Sequence, residues 1–163
     1  MQLAEPNLHI VLVRPEIPQN TGSIARLAAA IRARLHLVGP LGFSLEDRYL
    51  KRAGLDYWPL VDLVTYDGWE QFSAAHPDSP HAKAKFFSTH APTSYLSANY
   101  NRGDFLFFGG ETKGLGKAFL SDRADRAYRI PIFEVGVRSL NLSNAVSIVV
   151  YEALRQLGLL SSS

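Results

Sequence analysis

The chain has no cysteine among its 163 residues. Disulfides, thiolate catalysis and cysteine zinc sites are therefore excluded. It also lacks a strong charge of either sign: 17 lysines and arginines face 15 acidic residues, for a net charge of +2. So mild a basic balance permits a nucleic-acid partner without requiring one. Long hydrophobic runs are missing too. Leu8–Val13 is far too short for a bilayer, and Ala145–Leu160 is interrupted by Glu152, Arg155 and Gln156, so no membrane span is expected. No basic start followed by an apolar run opens the chain, which makes a signal peptide unexpected and a cytoplasmic location the default. The five histidines (His9, His36, His76, His81 and His90) are scattered without a pair at helical spacing. No metal is expected on that count, and His9 and His36, inside apolar runs, read as core residues.

Familiar phosphate and nucleophile motifs are absent as well. Gly116-Lys117 resembles the end of a phosphate loop, but position 111 is Glu and position 118 is Ala. The dinucleotide spacing after Gly114 and Gly116 fails at Phe119. Ser139 has neither a strand-turn-helix elbow nor a nearby histidine. Asn141-Leu142-Ser143 is a glycosylation sequon by chance in a chain with no expected secretion signal.

What is present is an ordinary globular composition, 47% hydrophobic and 20% charged, sized for one domain over residues 1–163. Leu8–Val13 reads as a strand buried on both faces. Pro15 and Pro18 break the chain, and Asn20–Ser23 caps an alanine-rich helix over Ile24–Ile31. Leu35–Val38 follows as a second strand, which completes a β-loop-α-β unit of the kind that builds parallel sheets. Leu45–Arg52 is expected to be a short helix closed by Gly54, Leu63–Tyr66 a strand, and Gly68–Ala75 a helix. His76–Ala84 is the one plausible exposed linker. Lys85–Thr89, Asp104–Phe108 and Tyr128–Ile132 complete the strands, and the run Ala145–Leu160 forms the closing helix. The class is α/β, a mostly parallel sheet with helices on both faces. The closing helix is apolar nearly all round, with Leu142, Val146, Val149, Ala153 and Leu157 on one face. A second subunit is the expected cover for the rest, which makes the protein a homodimer.

Three polar, glycine-rich stretches fall at the C-terminal ends of expected strands, where open α/β sheets bind ligands. They are Pro15–Ser23 with Arg26 one turn into the helix, Phe108–Leu115, and Val137–Asn144 preceded by Ile130-Pro131. The last puts an arginine and four short polar side chains at a helix mouth, more than capping requires.

These stretches resemble the three motifs of SPOUT-class RNA 2′-O-ribose methyltransferases. The matching segments are Pro-x-x-Pro-x-Asn-x-Gly-Ser-Ile-x-Arg (Pro15 to Arg26), Phe-Gly-x-Glu-x-x-Gly-Leu (Phe108 to Leu115), and Ile-Pro followed by Arg-Ser-Leu-Asn-Leu-Ser-Asn. Arg52–Tyr57 and Val149–Ala153 are similar to the small TrmL-type branch, and the resemblance runs in order from Leu8 to Gly158. Gly110 departs from it, since that branch usually has proline there. The resemblance implies a C-terminal trefoil knot and S-adenosyl-L-methionine as methyl donor, with S-adenosyl-L-homocysteine as product. It implies methylation of the ribose at the wobble nucleotide of tRNA, cytidine or modified uridine, with leucine isoacceptors the expected substrates. By carry-over Phe87, Ser88, Gly109, Glu111, Gly114, Ile130, Ser139 and Leu140 bind the cofactor, and Thr89 joins them.

The same resemblance places Arg26 at the reacting hydroxyl. A guanidinium keeps its proton, so it steadies the developing alkoxide or clamps the adjacent phosphate rather than acting as a plain base. Asn20 fixes the loop or the ribose, Ser139 and Asn141 orient nucleotide and cofactor, and Glu111 pairs with Arg138. Candidate RNA contacts are Arg14, Arg52, Arg138 and Tyr151, with Arg48, Lys51 and Lys113 beside them. The rival readings are methylation of rRNA or another tRNA site, and a non-catalytic nucleotide- or RNA-binding module. The seven residues before the first strand favour tRNA, because rRNA-directed relatives often carry a further RNA-binding domain.

Overall fold

The apolar run near the start becomes β1 (His9–Val13), every residue of it buried. The computed structural model describes residues 2–53, 56–77 and 83–161. After β1 come α1 (Pro18–Ile31), β2 (Arg34–Val38), α2 (Arg48–Ala53), β3 (Asp62–Tyr66) and α3 (Trp69–Ala75). Then follow β4 (Ala84–Phe87), β5 (Thr93–Ser94), β6 (Phe105–Gly109), α4 (Lys117–Ser121), β7 (Ala127–Arg129) and α5 (Leu142–Gln156). The strands form one seven-stranded sheet in the order β3-β2-β1-β6-β4-β7-β5. Each strand pairing in it is parallel. Parallel pairing puts all strand ends of one kind on one edge. The loops after β1, β4, β6 and β7 therefore share the C-terminal edge.

Alternation along the strands divides the core in two. Ile10, Leu12, Leu35, Leu37, Leu106 and Phe108 face a cluster with Ile24, Ala25 and Ala28 of α1 and Val146, Val149 and Val150 of α5. Val11, Val13, Phe86, Phe105 and Phe107 face the other, closed by Phe72 of α3 with Trp69, Phe119 and Leu120 against it. Helices thus cover both faces, and each fully buried Leu, Val or Phe contributes roughly 1.5–3 kcal/mol.

Several element bounds differ from the sequence reading. α1 begins at Pro18 rather than Ile24, because proline loses nothing at the first helical position, where its missing N–H would be free anyway. Asn20, Thr21 and Gly22 are then buried in its first turns instead of capping it, and the N-cap residue Ile17 provides no side-chain cap. α5 starts at Leu142, capped by Asn141. It ends at Gln156 rather than Leu160, in a glycine-centred closure: Gly158 has φ 74°, Leu159 N–H donates to the Leu154 carbonyl and Gly158 N–H to that of Arg155. β7 stops at Arg129, short of the expected Ile132, since Pro131 has no N–H for a ladder. β5 was not expected at all. Gly54, the expected stop of α2, and positions 78–82 of the expected linker lie outside the described residues.

Candidate functional site

At the C-terminal edge of the sheet the loops enclose a cavity of about 1250 Å³. Its lining includes Phe87, Ser88 and Thr89 after β4, Gly109 to Lys117 after β6, and Ile130, Ile132 and Arg138 to Leu142 between β7 and α5. Ile17 and Asn20 reach it from the mouth of α1. Its volume exceeds the roughly 300–1,000 Å³ of most small-molecule pockets, which leaves room for a nucleotide beside a cofactor.

The loop after β6 folds back on itself. Gly110 and Gly114 form an antiparallel bridge, with Gly114 N–H donating to the Gly110 carbonyl at 3.0 Å. Gly109 permits this closure: a Cβ there would lie 1.9 Å from the Gly114 carbonyl carbon. At Gly110 a Cβ would lie 2.4 Å from the carbonyl oxygen of Arg14, whose backbone is left-handed at φ 54°. The glycine at this position therefore accommodates a close approach of the loop after β1.

Two carboxylates clasp these loops from opposite sides. Glu111 accepts hydrogen bonds from the backbone N–H of Glu16 (2.7 Å) and Ile17 (2.9 Å) and from Asn20 Nδ2 (3.1 Å). In return Glu16 accepts from Thr112 N–H (3.1 Å) and Thr112 Oγ1 (2.9 Å). These bonds hold the Glu16 carboxyl below the usual carboxylate range, the backbone donor contributing most. Glu111 thereby caps α1 from a distant loop, placing negative charge at the positive end of a helix without a cap of its own. The expected Glu111–Arg138 pair is corrected: Glu111 is committed to the loop before α1, and no ion pair joins it to Arg138 among the described residues.

The chain of bonds continues. Asn20 Oδ1 accepts from Asn141 Nδ2 at 3.1 Å. Asn141 Oδ1 accepts from the N–H groups of Ser143 (2.9 Å) and Asn144 (3.3 Å) and from Ser143 Oγ (2.6 Å). Glu111, Asn20 and Asn141 thus tie all three polar stretches into one scaffold. Both asparagine amides are engaged with protein groups, so their geometry serves the loops.

All of the expected cofactor residues (Phe87, Ser88, Gly109, Glu111, Gly114, Ile130, Ser139 and Leu140) line the cavity, together with Asn20, Asn141, Arg138 and Lys113. Arg26, Arg14, Arg52 and Tyr151 are not among its lining residues. Arg26 is exposed on α1, its guanidinium carbon 4.6 Å from the centroid of the Tyr57 ring. Arg52 is exposed on α2, Tyr151 on α5, and Arg14 at the end of β1. Sequence reading missed the Glu16–Thr112 clasp and gave Tyr57, the last residue of the branch-like segment Arg52–Tyr57, no role; a glutamate two residues before a helix carries no local signal of a partner 96 positions away. Among the described residues there is no cluster suited to a metal and no helix long and apolar enough to cross a membrane.

Comparison with known proteins adds to this geometry. Residues 7–151 match the model of the SpoU rRNA methylase family. A Burkholderia pseudomallei protein named tRNA (cytidine(34)-2′-O)-methyltransferase is 44% identical over 151 residues, 92% of this chain and 96% of its own. Among solved structures, one described as giving insight into 2-OH methylation of C/U34 on tRNA superposes with a TM-score of 0.86 at 48% identity, covering 93% of this chain and 96% of the other. The SpoU methyltransferase AviRb from Streptomyces viridochromogenes, in complex with AdoMet, superposes at 0.79 with 25% identity over 95% of this chain and 62% of its own.

Proposed function

The chain belongs to the SpoU rRNA methylase family, and from that premise we propose that it methylates the ribose 2′-hydroxyl of the wobble nucleotide of tRNA, using S-adenosylmethionine. The observation that carries this reading is the convergence of three separate loops on one cavity, tied together by Glu111, Asn20 and Asn141. The names of similar proteins point to the same substrate.

The residues present fit the cofactor. Phe87, Ile130 and Leu142 give apolar walls for an adenine, and the loops add backbone N–H and carbonyl groups. Gly114 and Gly116, at φ 60° and 88°, have nothing within 4 Å of where a Cβ would stand, which leaves open backbone along the cavity. When bound, S-adenosylmethionine supplies an electrophilic methyl group on a sulfonium centre. The chain's own task is to position the ribose oxygen in line with it, where orientation is the largest requirement. Ser88, Gly109, Gly114, Ser139 and Leu140 hold the cofactor; Glu111, Asn20 and Asn141 fix the loops that do so. Ser139 also orients the nucleotide. Arg26, on α1 outside the cavity lining, is assigned the steadying of the oxygen while its proton passes to solvent, or the clamping of the neighbouring phosphate.

The segment from β6 to α5 forms the trefoil knot of this family in our reading, with residues 1–163 as a single domain acting in the cytoplasm. A homodimer is supported by the exposed Ile148 and Tyr151 on α5 and Leu159 and Leu160 beyond it. Ala30, one turn past Arg26 on α1, shares a surface depression with Tyr151, Leu159 and Leu160. The face that a second copy would cover therefore begins one turn from Arg26. Arg14, Arg52 and Arg138 remain the proposed RNA contacts, whereas Tyr151, expected beside them, belongs to the face given to the second copy.

The test is methyl transfer from S-adenosylmethionine to tRNA taken from a strain lacking the protein, followed by digestion and mass spectrometry of the 2′-O-methylnucleosides. We expect 2′-O-methylcytidine or a 2′-O-methyluridine derivative at the wobble position, in leucine isoacceptors first. Transfer to rRNA alone would discard the tRNA substrate. Tight cofactor binding with no transfer to either RNA would establish the non-catalytic module.

A further inference from the structure

Arg26 stands on the exposed side of α1 with no acidic partner among the described residues. A lone arginine on a helix surface samples many rotamers and presents its charge in no fixed place. Here it has a partner. Its guanidinium carbon lies 4.6 Å from the centroid of the Tyr57 ring, and Nη2 donates to the Tyr57 hydroxyl at 3.4 Å. Stacking on an aromatic face attracts the cation without neutralising it. A carboxylate would hold the same group in place but cancel the charge that the reaction requires.

The backbone of Tyr57 is held in a turn. Its carbonyl accepts from Leu60 N–H at 2.8 Å, at the start of the 3-10 turn Trp58–Leu60. Trp58 packs against the α1/α5 core cluster, and Val61 N–H closes the turn on the Trp58 carbonyl at 3.1 Å. The ring is thus carried by a turn seated on the core, at the side of α1 where Arg26 emerges. The guanidinium has five N–H donors in a rigid fork. One is directed to Tyr57, and the others, without an acceptor among the described residues, are left for oxygen acceptors of a nucleotide.

We infer that Tyr57 is the positioning residue for Arg26, holding its guanidinium in the orientation that meets the ribose oxygen or the adjacent phosphate of the tRNA substrate. The inference rests on the methyl-transfer reading above and adds to it a residue outside the three shared motifs. Because Tyr57 touches Arg26 from one side and is 38% exposed, its replacement leaves the core intact.

The experiment compares wild type, Tyr57→Leu, Tyr57→Phe, Arg26→Ala and the Arg26→Ala/Tyr57→Leu double variant. Single-turnover rates at saturating tRNA and cofactor are measured, with the KM for tRNA and the Kd for S-adenosylmethionine alongside. Tyr57→Leu is expected to lower the rate about tenfold to a hundredfold, the usual cost of a misplaced reacting group, with cofactor affinity unchanged. Tyr57→Phe keeps the stacking face and restores most of the rate. In the Arg26→Ala background Tyr57→Leu has no further effect, because there is nothing left to position. A wild-type rate in Tyr57→Leu overturns the inference. So does an equal loss from Tyr57→Leu with and without Arg26, or a Tyr57→Phe variant as slow as Tyr57→Leu. These outcomes leave the functional reading standing, since the wild type is active in each. A wild type that methylates no tRNA overturns both.

Discussion

Glu111 is the residue on which the three loops depend most. Its carboxylate meets three donors between 2.7 and 3.1 Å, two of them backbone N–H groups at the mouth of α1 and the third the amide of Asn20. No other residue in the loop after β6 reaches the start of α1 in this way except Thr112, which donates in the opposite sense to Glu16. Replacing Glu111 by glutamine keeps the size of the side chain and one acceptor oxygen. It removes the charge and turns an N–H₂ group toward donors that it cannot satisfy. A hydrogen bond to a charged group contributes about 1.5–3 kcal/mol, so loss of one such bond corresponds to about tenfold or more in binding. We expect Glu111→Gln to bind S-adenosylmethionine about tenfold more weakly by isothermal titration calorimetry, with an unchanged far-ultraviolet circular dichroism spectrum. Unchanged cofactor affinity would show that the loops keep their shape without the clasp. The sequence singled out Glu111 but assigned it the wrong partner, Arg138. Nothing local distinguishes a carboxylate that pairs with an arginine from one that caps a helix 94 positions earlier.

At the scale of elements, a chain of titratable groups crosses the sheet beneath α3. His9 of β1 bonds His36 of β2 (Nδ1 to Nε2, 2.8 Å), and His36 Nδ1 bonds the Tyr66 hydroxyl of β3 (2.8 Å). That hydroxyl bonds His76 Nε2 just after α3 (3.0 Å), and Phe105 of β6 stacks on His9 at 4.0 Å between centroids. One self-consistent arrangement keeps all three rings neutral: His9 donates to His36, His36 to Tyr66 and Tyr66 to His76. Burial is the main reason that His9 is lowered to about 4 and His36 to about 2, with nearby cationic groups adding to it; His76 moves the same way. Since the unfolded chain takes up protons near 6.5 and the folded one does not, the unfolded state binds more protons below that pH. Stability is therefore full above about pH 6.5 and falls as the pH drops toward 4, by about 1.4 kcal/mol per pH unit for each of His9 and His36. Urea midpoints measured from pH 7.5 to 4.5 should fall in that window. A flat profile across it would mean that the histidines already carry protons in the folded state. The sequence placed His9 and His36 in the core correctly, because both sit in unbroken apolar runs. It could not show that they touch, because the β1–β2 register comes from the sheet. Pattern reading served where local forces decide, as in the β1–α1–β2 unit, β6 and the body of α5. It failed at the start of α1, which Glu111 caps from across the molecule, and at β5, whose two residues are too few for any pattern.

The whole molecule leaves a surface that its own core does not use. Ile148 and Tyr151 on the outer side of α5, with Leu159 and Leu160 just beyond its end, are 37–46% exposed. Tyr151, Leu159 and Leu160 lie next to Ala30 and Arg32 at the end of α1. Scattered apolar residues on a surface need no explanation, but a group gathered along one helix and its end is what an association face looks like. Buried against a second copy, those side chains would be removed from water, and the partner's Ile148 and Tyr151 would meet them across a two-fold axis in a self-complementary contact. The basic residues of two protomers would then form one surface for a substrate much larger than either chain. The proposed dimer should sediment at twice the 18.0 kDa of the chain. An Ile148→Asp/Tyr151→Asp variant puts two charges where apolar contact is needed, each costly to bury without a partner. It is expected to sediment as a monomer, to keep its circular dichroism spectrum because both positions are exposed, and to methylate tRNA at least tenfold more slowly, as orientation and charge are lost together. Sedimentation velocity decides this directly. A wild type that runs at 18.0 kDa at micromolar concentration removes the dimer. A variant that stays dimeric moves the contact off α5 to another face of the molecule.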